Sequence, residues 1–439
     1  MNKNHIIGKV FLSMLLLTTS SFSKIFTVSN VAEFRKALED SALNGEDDTI
    51  HLNPGTYKTT SDGLGTFTYN DEEKHSLKLT AILNTRIILD GDNTHRVFSY
   101  FNKYGTKLTL ENITIQNGKA TEALEDGAGV ETNANKVIVD KCIFKNNIAN
   151  WKGGGIHISS SKFTLMKDSS FINNESQLLQ GGGVYSGSSL AIVINSTFEE
   201  NKAVYGDGVF LLGSDTFIIN STFNKNKGES AVSVLKSQMI NNIFSNNNKL
   251  DLYSSFNGNI KLYNNYIDYS KISSNQTTLI KKNNIHPSTE GDIKYINTNL
   301  QLSATSPAIN KGMDIYSDKF KKLILEKDDI SSESLSTTDT EILAIMHQLT
   351  LDKALNKRDD TPDLGAYEYD STVKAENDTP TETPTERDDS STDQQEDDTP
   401  TETSTKKGTG TSSTGYMFPL FVFFLILYRN RKKYLLPIK

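Results

Sequence analysis

The chain has 439 residues, a formal net charge of −8 and a single cysteine, Cys142. The acidic balance argues against a nucleic-acid partner, which would require a basic face. One thiol excludes a disulfide framework and a cysteine-rich metal site, and the length allows two or three domains.

The first residues have the pattern of an export signal. Within residues 1–23, Lys3 and Lys9 precede an apolar run at 10–17, and small serine residues follow it. This order predicts a secretory signal peptide, because the apolar run is too short for a comfortable membrane span.

Residues 24–58 predict a strand, a helix, a second strand and a Pro-Gly turn. Within this segment Val31, Phe34, Ala37 and Leu38 recur at helical spacing and would share one face. The helix is therefore expected to bury this apolar face against the strands that follow residue 58.

A repeat then begins, marked by phenylalanines that each stand three residues before an asparagine. The steps between repeats are 27, 27, 25 and 21 residues. The residue five places before each phenylalanine is apolar, and the residue two places before it is small or Asn. The repeated pairs are Phe144 with Asn147, Phe171 with Asn174, Phe198 with Asn201, Phe223 with Asn226, and Phe244 with Asn247.

Glycine motifs recur in the same frame, 8 to 12 residues after each phenylalanine or its isoleucine equivalent. They read GAGV at 127–130, GGGI at 153–156, GGGV at 181–184 and GDGV at 206–209. Glycine permits a tight turn before the next strand begins. A phosphate cradle would require a following GKS or GKT and a helix, and neither is present.

A period of 20–50 residues made of short alternating runs predicts a solenoid of strands. We therefore predict an all-β fold, a right-handed parallel β-helix over residues 59–312, in which phenylalanines fill the core. The asparagines are expected at bends with left-handed backbone, hydrogen-bonded from coil to coil. Cys142 occupies a small-residue column and is expected to be buried.

The glycine and Phe-x-x-Asn signatures resemble the repeats of the chlamydial polymorphic membrane proteins. More broadly, the body resembles the pectin-lyase-like β-helix superfamily. That resemblance implies that residues 24–58 cap the open end of the solenoid, which would otherwise be an aggregation-prone edge.

Two further motifs, SPAINKG at 306–312 and DLGAYEY at 363–369, resemble the closing motif of bacterial choice-of-anchor Q proteins. Arg358 stands just upstream of the second motif. The resemblance implies a β-helix body attached to a surface. Residues 313–357 then read as an inserted loop with a helix near 340–354, and residues 358–370 as the closing motif.

The remaining chain predicts a stalk and an attachment segment. Residues 371–415 are acidic, rich in Thr and Pro and free of aromatic residues, which predicts disorder. Residues 416–433 join an apolar stretch to a basic cluster, which predicts a membrane anchor with the body facing outward. The segment also resembles bacterial sorting tails of the GlyGly type. A bacterial surface location follows from either interpretation.

Function is open between two classes. The first is a non-catalytic adhesin that presents a strand face to extracellular glycans or surface proteins. Exposed aromatic residues would contact the ligand, and His157 would be exposed or line that face. The binding candidates are Trp151, His157, Tyr185 and Tyr205, with Tyr253 and Tyr263 as further aromatic residues.

The second class is a divergent polysaccharide lyase or glycoside hydrolase of the pectin-lyase-like superfamily. Against it, the chain has no arginine between Arg96 and Arg358, and no GHG or RIK motif. We predict no catalytic residue, cofactor or metal ligand set, although Asp207 and Asp215 leave a Ca²⁺ site open.

Overall fold

The structure is a computed structural model, and it describes residues 23–81, 87–254, 258–274, 278–290, 292–295, 300–313, 352–353, 358 and 362–368. In these residues all strand pairs within the three sheets are parallel, and each strand pairs with its equivalents one coil before and after. The predicted all-β parallel β-helix is confirmed.

The largest sheet, the long sheet, contains 18 strands in two adjoining rows. Two long strands, Ile156–Lys167 and Val184–Ile194, run through both rows. The first row holds Phe67–Asp71, Phe98–Asn102, Val130–Thr132, Val209–Leu211, Ser230–Val234, Leu250–Ser254 and Ile272–Ser274. The second row holds Lys24–Val28, Asp48–Leu52, Leu77–Ala81, Lys107–Glu111, Lys136–Asp140, Asp215–Ile219, Ser237–Ile240, Asn259–Tyr263 and Thr278–Lys282.

Two smaller sheets complete the coils. The eight-stranded sheet holds Gly55–Lys58, Ile87–Asp90, Thr114–Gln116, Ile143–Lys145, Ser170–Ile172, Thr197–Glu199, Thr222–Asn224 and Ile243–Ser245. The three-stranded sheet holds Lys119–Ala120, Ile148–Ala149 and Glu175–Ser176. The described helices are Val31–Ser41, Pro287–Glu290 and a 3₁₀ turn at Tyr269–Lys271.

The helix Val31–Ser41 lies where the sequence predicts one. Asn30 caps it, because its Oδ1 accepts a hydrogen bond from the Glu33 backbone N–H at 2.9 Å. Its buried face includes Phe34, whose ring centroid lies 4.9 Å from that of Phe67 in the core. The helix thus joins the first coils, and its capping role stays a prediction.

The repeated phenylalanines form one continuous stack inside the solenoid. Phe144, Phe171, Phe198, Phe223 and Phe244 are all at most 2% exposed, and successive ring centroids lie 4.8–5.1 Å apart with planes nearly parallel. This spacing equals the strand separation, so register and ring stacking reinforce each other. The predicted core column is confirmed.

The repeated asparagines form a buried ladder beside this stack. Asn201 shows the pattern: its Oδ1 accepts from the Asn174 backbone N–H at 3.0 Å and from Asn174 Nδ2 at 3.0 Å. Its own Nδ2 donates to the Phe171 carbonyl at 2.8 Å and to Asn226 Oδ1 at 3.3 Å. The predicted coil-to-coil bonding is confirmed, and it continues to Asn147 and Asn247.

A second ladder uses the small-residue column two places before each phenylalanine. Each backbone N–H there donates to the side chain of the equivalent residue one coil on, as Ser196 donates to Ser221 Oγ at 3.2 Å. Serine gives way to asparagine at Asn242, which accepts from the Ser221 backbone N–H at 2.9 Å. Cys142 begins this column and is fully buried, which raises the pKa of its thiol to about 12.

The prediction of left-handed backbone at the repeated asparagines is confirmed for one column and wrong for the other. Asn195, Asn220 and Asn241, three residues before their phenylalanines, have φ of 47–56°. The ladder asparagines are not in the left-handed region. The residue immediately before each of them is, as at Asn146 with φ 57° and Asn173 with φ 50°. The bend precedes the ladder residue because the ladder side chain must point inward. The first glycine of each motif does adopt positive φ, for example 65° at Gly153.

The two halves of the predicted closing motif meet on the side of the solenoid. The Leu364 backbone N–H donates to the Ala308 carbonyl at 3.1 Å, and the Asn310 N–H donates to Asp363 Oδ1 at 2.7 Å. Arg358 is buried and pairs with Glu368 at 3.0 Å. The two motifs, about 50 residues apart in the sequence, are therefore hydrogen-bonded to each other.

Lys353 fastens the same region to the coils. Its Nζ donates to the Ser169 carbonyl at 2.9 Å, to Thr197 Oγ1 at 2.8 Å and also to Ser170 Oγ. Burial lowers the pKa of this ammonium to about 7. The contact holds the chain beside the second ladder.

Several predicted segments lie outside the described residues. They are the signal peptide, the stalk at 371–415, the anchor at 416–433 and nearly all of the insert at 313–357. Among the helices of the described part, none has the length and apolarity to cross a membrane.

We expect Asn201→Ala to lower the free energy of unfolding by about 3 kcal/mol or more, because several buried polar groups lose their partners. Chemical denaturation followed by circular dichroism measures the change. The matched control is Asn248→Ala, since Asn248 is exposed and its side chain donates only to the Lys227 carbonyl. Equal losses in both variants would contradict the role given to the ladder.

Candidate functional site

The candidate site lies on the outer face of the long sheet, one residue after each glycine motif. The register aligns Glu131, His157, Tyr185 and Phe210 on neighbouring strands, and it continues to Ser233, Tyr253 and Ser273. Alternate residues of these strands point to the core, so this column points away from it.

Turns that precede these strands bring further side chains to the column. The Lys152 backbone N–H donates to Asp126 Oδ1 at 3.0 Å, and the Gly127 N–H donates to the Lys152 carbonyl at 2.8 Å. The Trp151 N–H donates to the Glu125 carbonyl at 2.9 Å. Stacked turns therefore hold Asp126, Trp151 and Lys152 together.

Arg96 supplies a fixed positive charge at one end. Its guanidinium lies 3.0 Å from Glu131 Oε2 and donates to the carbonyls of Asp126 and Gly127 at 2.8 and 3.0 Å. Both side chains of the ion pair are less than a quarter exposed. A bonded arginine of this kind orients a carboxylate as well as neutralising it.

His157 lies at the centre as a neutral imidazole. Burial, together with the charges of Lys152 and Arg96, lowers its pKa to about 3. Its Nε2 lies 3.7 Å from Asp126 Oδ2, which is too long for a hydrogen bond. Its Nδ1 is buried without a partner, so the site retains one unmet polar atom.

The two carboxyl groups of the site have different environments. Burial raises the pKa of Asp126 to about 6, partly opposed by the charge of Lys152. Glu131 is instead paired with Arg96. Close to pH 6 the carboxyl group of Asp126 is therefore partly protonated, whereas the carboxylate of Glu131 keeps Arg96 as its cationic partner.

Aromatic rings extend the column. The ring centroid of Tyr185 lies 5.1 Å from His157 and 5.6 Å from Phe210, the latter in a nearly parallel stack. Lys152 Nζ lies 4.8 Å from the Tyr185 ring centroid and 5.6 Å from that of Trp151. Farther along, Tyr205 stacks on Tyr253 at 4.6 Å. We call Trp151, Tyr185, Tyr205, Phe210 and Tyr253 the aromatic strip.

The structure brings together three of the four predicted binding residues, namely Trp151, His157 and Tyr185. Tyr205 lies farther along the same strip. The expected exposure is wrong for Tyr185, which is 7% exposed; of the two positions expected for His157, exposed or lining the face, its 5% exposure rules out the first. Neighbouring rings and turns cover both residues. Tyr263 packs elsewhere, against an apolar cluster that includes Phe217 and Ile240.

Sequence reasoning missed Arg96, Asp126, Glu131, Lys152 and Phe210. Glu131 and Phe210 carried a signal, because each directly follows a glycine motif as His157 and Tyr185 do. Arg96 carried none, since it lies 35 residues before Glu131 and precedes the first motif.

The acids considered for Ca²⁺ have other roles. Both carboxylate oxygens of Asp207 accept backbone hydrogen bonds at 2.8 Å, from Ala203 and Gly228. Asp215 pairs with Lys236 at 3.2 Å. Asp207 therefore supports the turn, and its burial raises its pKa to about 7.

No family model matches the chain. It is 32% identical over 142 residues to the metabotropic glutamate receptor-like protein R of Dictyostelium discoideum, which is 32% of this chain and 8% of that protein. The chain thus spans only a small part of that relative. The crystal structure of pectate lyase Pel9A aligns with 80% of this chain and 98% of its own, at 14% identity and a TM-score of 0.44.

The fold is established by the strand pairing of the chain itself. The resemblances to choice-of-anchor Q proteins and to chlamydial repeats stay predictions.

We expect Asp126→Asn to change how stability depends on pH. A carboxyl whose folded pKa is near 6 and whose unfolded pKa is 3.8 stabilises the fold below pH 3.8 and loses that contribution as pH rises through 6. The variant should therefore gain about 2 kcal/mol relative to wild type between pH 4 and pH 7. Chemical denaturation at both pH values measures this, and a pH-independent difference would contradict it.

Proposed function

We propose that this protein is an exported, surface-anchored β-helix that binds extracellular glycans through the aromatic strip. The observation that carries the proposal is the outer column of the long sheet, where His157, Tyr185 and Phe210 stand in register with Tyr253 two strands farther on. Flat rings with adjoining polar groups suit the apolar faces and hydroxyl groups of sugars.

The dimensions of the strip favour an oligosaccharide. His157 and Tyr253 are separated by four strand steps, which corresponds to about 19 Å at the usual strand spacing. Trp151, Tyr205, Phe210 and Tyr253 are each partly exposed. A chain of sugars lying along the strip would contact several rings in succession.

Polar groups at one end favour a ligand with hydroxyl groups. The carboxyl groups of Asp126 and Glu131, whose side chains are 14% and 22% exposed, lie beside the buried His157. A few polar groups placed among apolar and aromatic ones are the usual composition of a small-molecule site.

A protein ligand is the competing interpretation, because exposed apolar side chains border the strip. Leu124 and Leu178 are 54% and 56% exposed, and both are bonded through their backbone N–H groups to Asn150. Val204, on the next turn, is 38% exposed. A protein partner would bury these side chains.

The location rests on the sequence. The predicted signal peptide at 1–23, the stalk at 371–415 and the anchor at 416–433 give the order expected of a body held away from a membrane. This order supports presentation of the strip outside the cell.

We expect Trp151→Ala, and separately the double variant Tyr205→Ala/Tyr253→Ala, to weaken glycan binding about tenfold, since a lost stacking contact is worth on the order of 1 kcal/mol. Binding of the full chain to a panel of microbial and host polysaccharides by surface plasmon resonance measures this. Tyr104→Ala is the matched control, because Tyr104 is 47% exposed and lies near Lys74 and Lys103.

Glycan binding that survives both changes, or that falls equally in the control, would reject the strip as the site. Absence of glycan binding together with capture of a protein ligand that depends on Leu124 and Leu178 would replace the glycan proposal.

A second candidate, a divergent polysaccharide-degrading enzyme, is favoured by one observation. The carboxyl group of Asp126, with its pKa raised to about 6, and the Arg96-paired Glu131 form the kind of unequal pair that serves as proton donor and base. We expect any glycan turnover by the full chain to fall at least a hundredfold in both Asp126→Asn and Glu131→Gln. Product release is measured by chromatography, and turnover unaffected by either change would exclude this pair.

A further inference from the structure

A second group of titratable side chains lies outside the aromatic strip, where the strand Phe67–Asp71 turns toward the next strand. Asp71, Glu73 and His75 alternate along this turn, and each offers one ligand atom within 4.8 Å of the others. Asp71 is buried, His75 is 24% exposed and Glu73 is 46% exposed. The group therefore reaches from the protein interior to solvent.

Local hydrogen bonds hold the group in place. The Glu73 backbone N–H donates to Asp71 Oδ1 at 2.5 Å, and Asn102 of the next coil donates to Asp71 Oδ2 at 2.5 Å. His75 Nδ1 lies 3.3 Å from Glu73 Oε2. The three ligand atoms thus lie within 4.8 Å of one another, and both oxygens of Asp71 accept hydrogen bonds in this arrangement.

A separate observation concerns a buried carboxylate oxygen next to this group. Asp48, the first residue of the strand Asp48–Leu52 in the preceding coil, is 3% exposed; its Oδ1 accepts from Asn44 Nδ2 at 3.1 Å, whereas its Oδ2 is buried without a hydrogen-bond partner. The start of this strand lies directly against the end of the first turn: the Asp48 backbone N–H donates to the Ser76 carbonyl at 2.9 Å, and the Ser76 N–H donates to Asp47 Oδ1 at 2.7 Å.

Burial of an unpaired carboxylate oxygen is costly unless a positive group compensates it. Acidic residues dominate both turns, as GEDD at 45–48 and DEE at 71–73, against the single Lys74 within them. The turns thus concentrate negative charge around an unmet buried oxygen.

We propose that Asp71, Glu73 and His75 bind a divalent first-row transition-metal ion of the Zn²⁺ class, and that Asp48 adds negative charge beside it. Two carboxylates with an imidazole nitrogen match such ions, whereas Ca²⁺ takes oxygen ligands only. Three protein ligands at a partly exposed turn leave a coordination position for water.

Titration of the metal-free full chain with Zn²⁺ alone, followed by isothermal calorimetry, tests the proposal. We expect one Zn²⁺ per chain, with binding at least tenfold weaker in Glu73→Gln and in His75→Ala. The matched control is His286→Ala, which removes a histidine that pairs with Asp268 at 3.2 Å.

Asp48→Asn separates a metal role from a structural one. It should raise the melting temperature of the metal-free chain, since an unpaired buried charge is removed, and it should reduce the rise that Zn²⁺ produces in wild type. If Asp48→Asn lowers the melting temperature of the metal-free chain as well as the rise produced by Zn²⁺, Asp48 has a structural role, and its part in the proposal is overturned.

Zn²⁺ binding that is equal in wild type, Glu73→Gln and His75→Ala would show an adventitious ion only and overturn the site. Preference for Ca²⁺ over Zn²⁺ would overturn the proposed class of metal. Glu73 is half exposed, so its variant is expected to fold, and circular dichroism confirms that before titration.

Discussion

The whole solenoid depends on hydrogen bonds that buried side chains make from one coil to the next. Asn174 and Asn201 each satisfy backbone and side-chain groups in both neighbouring coils. Because an unsatisfied buried polar group costs on the order of 1–3 kcal/mol, the position of each coil is fixed by its neighbours. The stacked phenylalanines need the same spacing, so polar and apolar columns select one geometry.

That constraint explains where function can reside. Inward columns must repeat, and a change at one rung affects the coils on both sides. Outward positions carry no such requirement, and there the repeated glycine motif is followed by Glu131, His157, Tyr185 or Phe210. Because the coils stack in register, these outward residues form one continuous surface. Charged residues occupy one end of it and aromatic residues the other.

Buried charge is handled in different ways across the molecule. Both oxygens of Asp207 accept from backbone N–H groups, and Arg358 bonds a carboxylate and carbonyls, although its Nε is buried without a partner. Asp126 is mainly desolvated, which raises its pKa, and Asp48 retains an oxygen without a partner. The first two support the backbone. The last two lie in the candidate glycan site and the proposed metal site, where a ligand would complete the bonding.

The sequence by itself determined the parallel β-helix, the Phe and Asn columns and the burial of Cys142, because inward positions of identical coils must repeat at a readable period. It also placed Trp151, His157 and Tyr185 among the candidates for a binding face. Only the tertiary structure decided that Arg96 and Asp126 lie beside them and that His157 is buried. Those contacts depend on the stacking of turns from different coils. The spacing of residues along the chain does not predict which outward-pointing side chains contact one another.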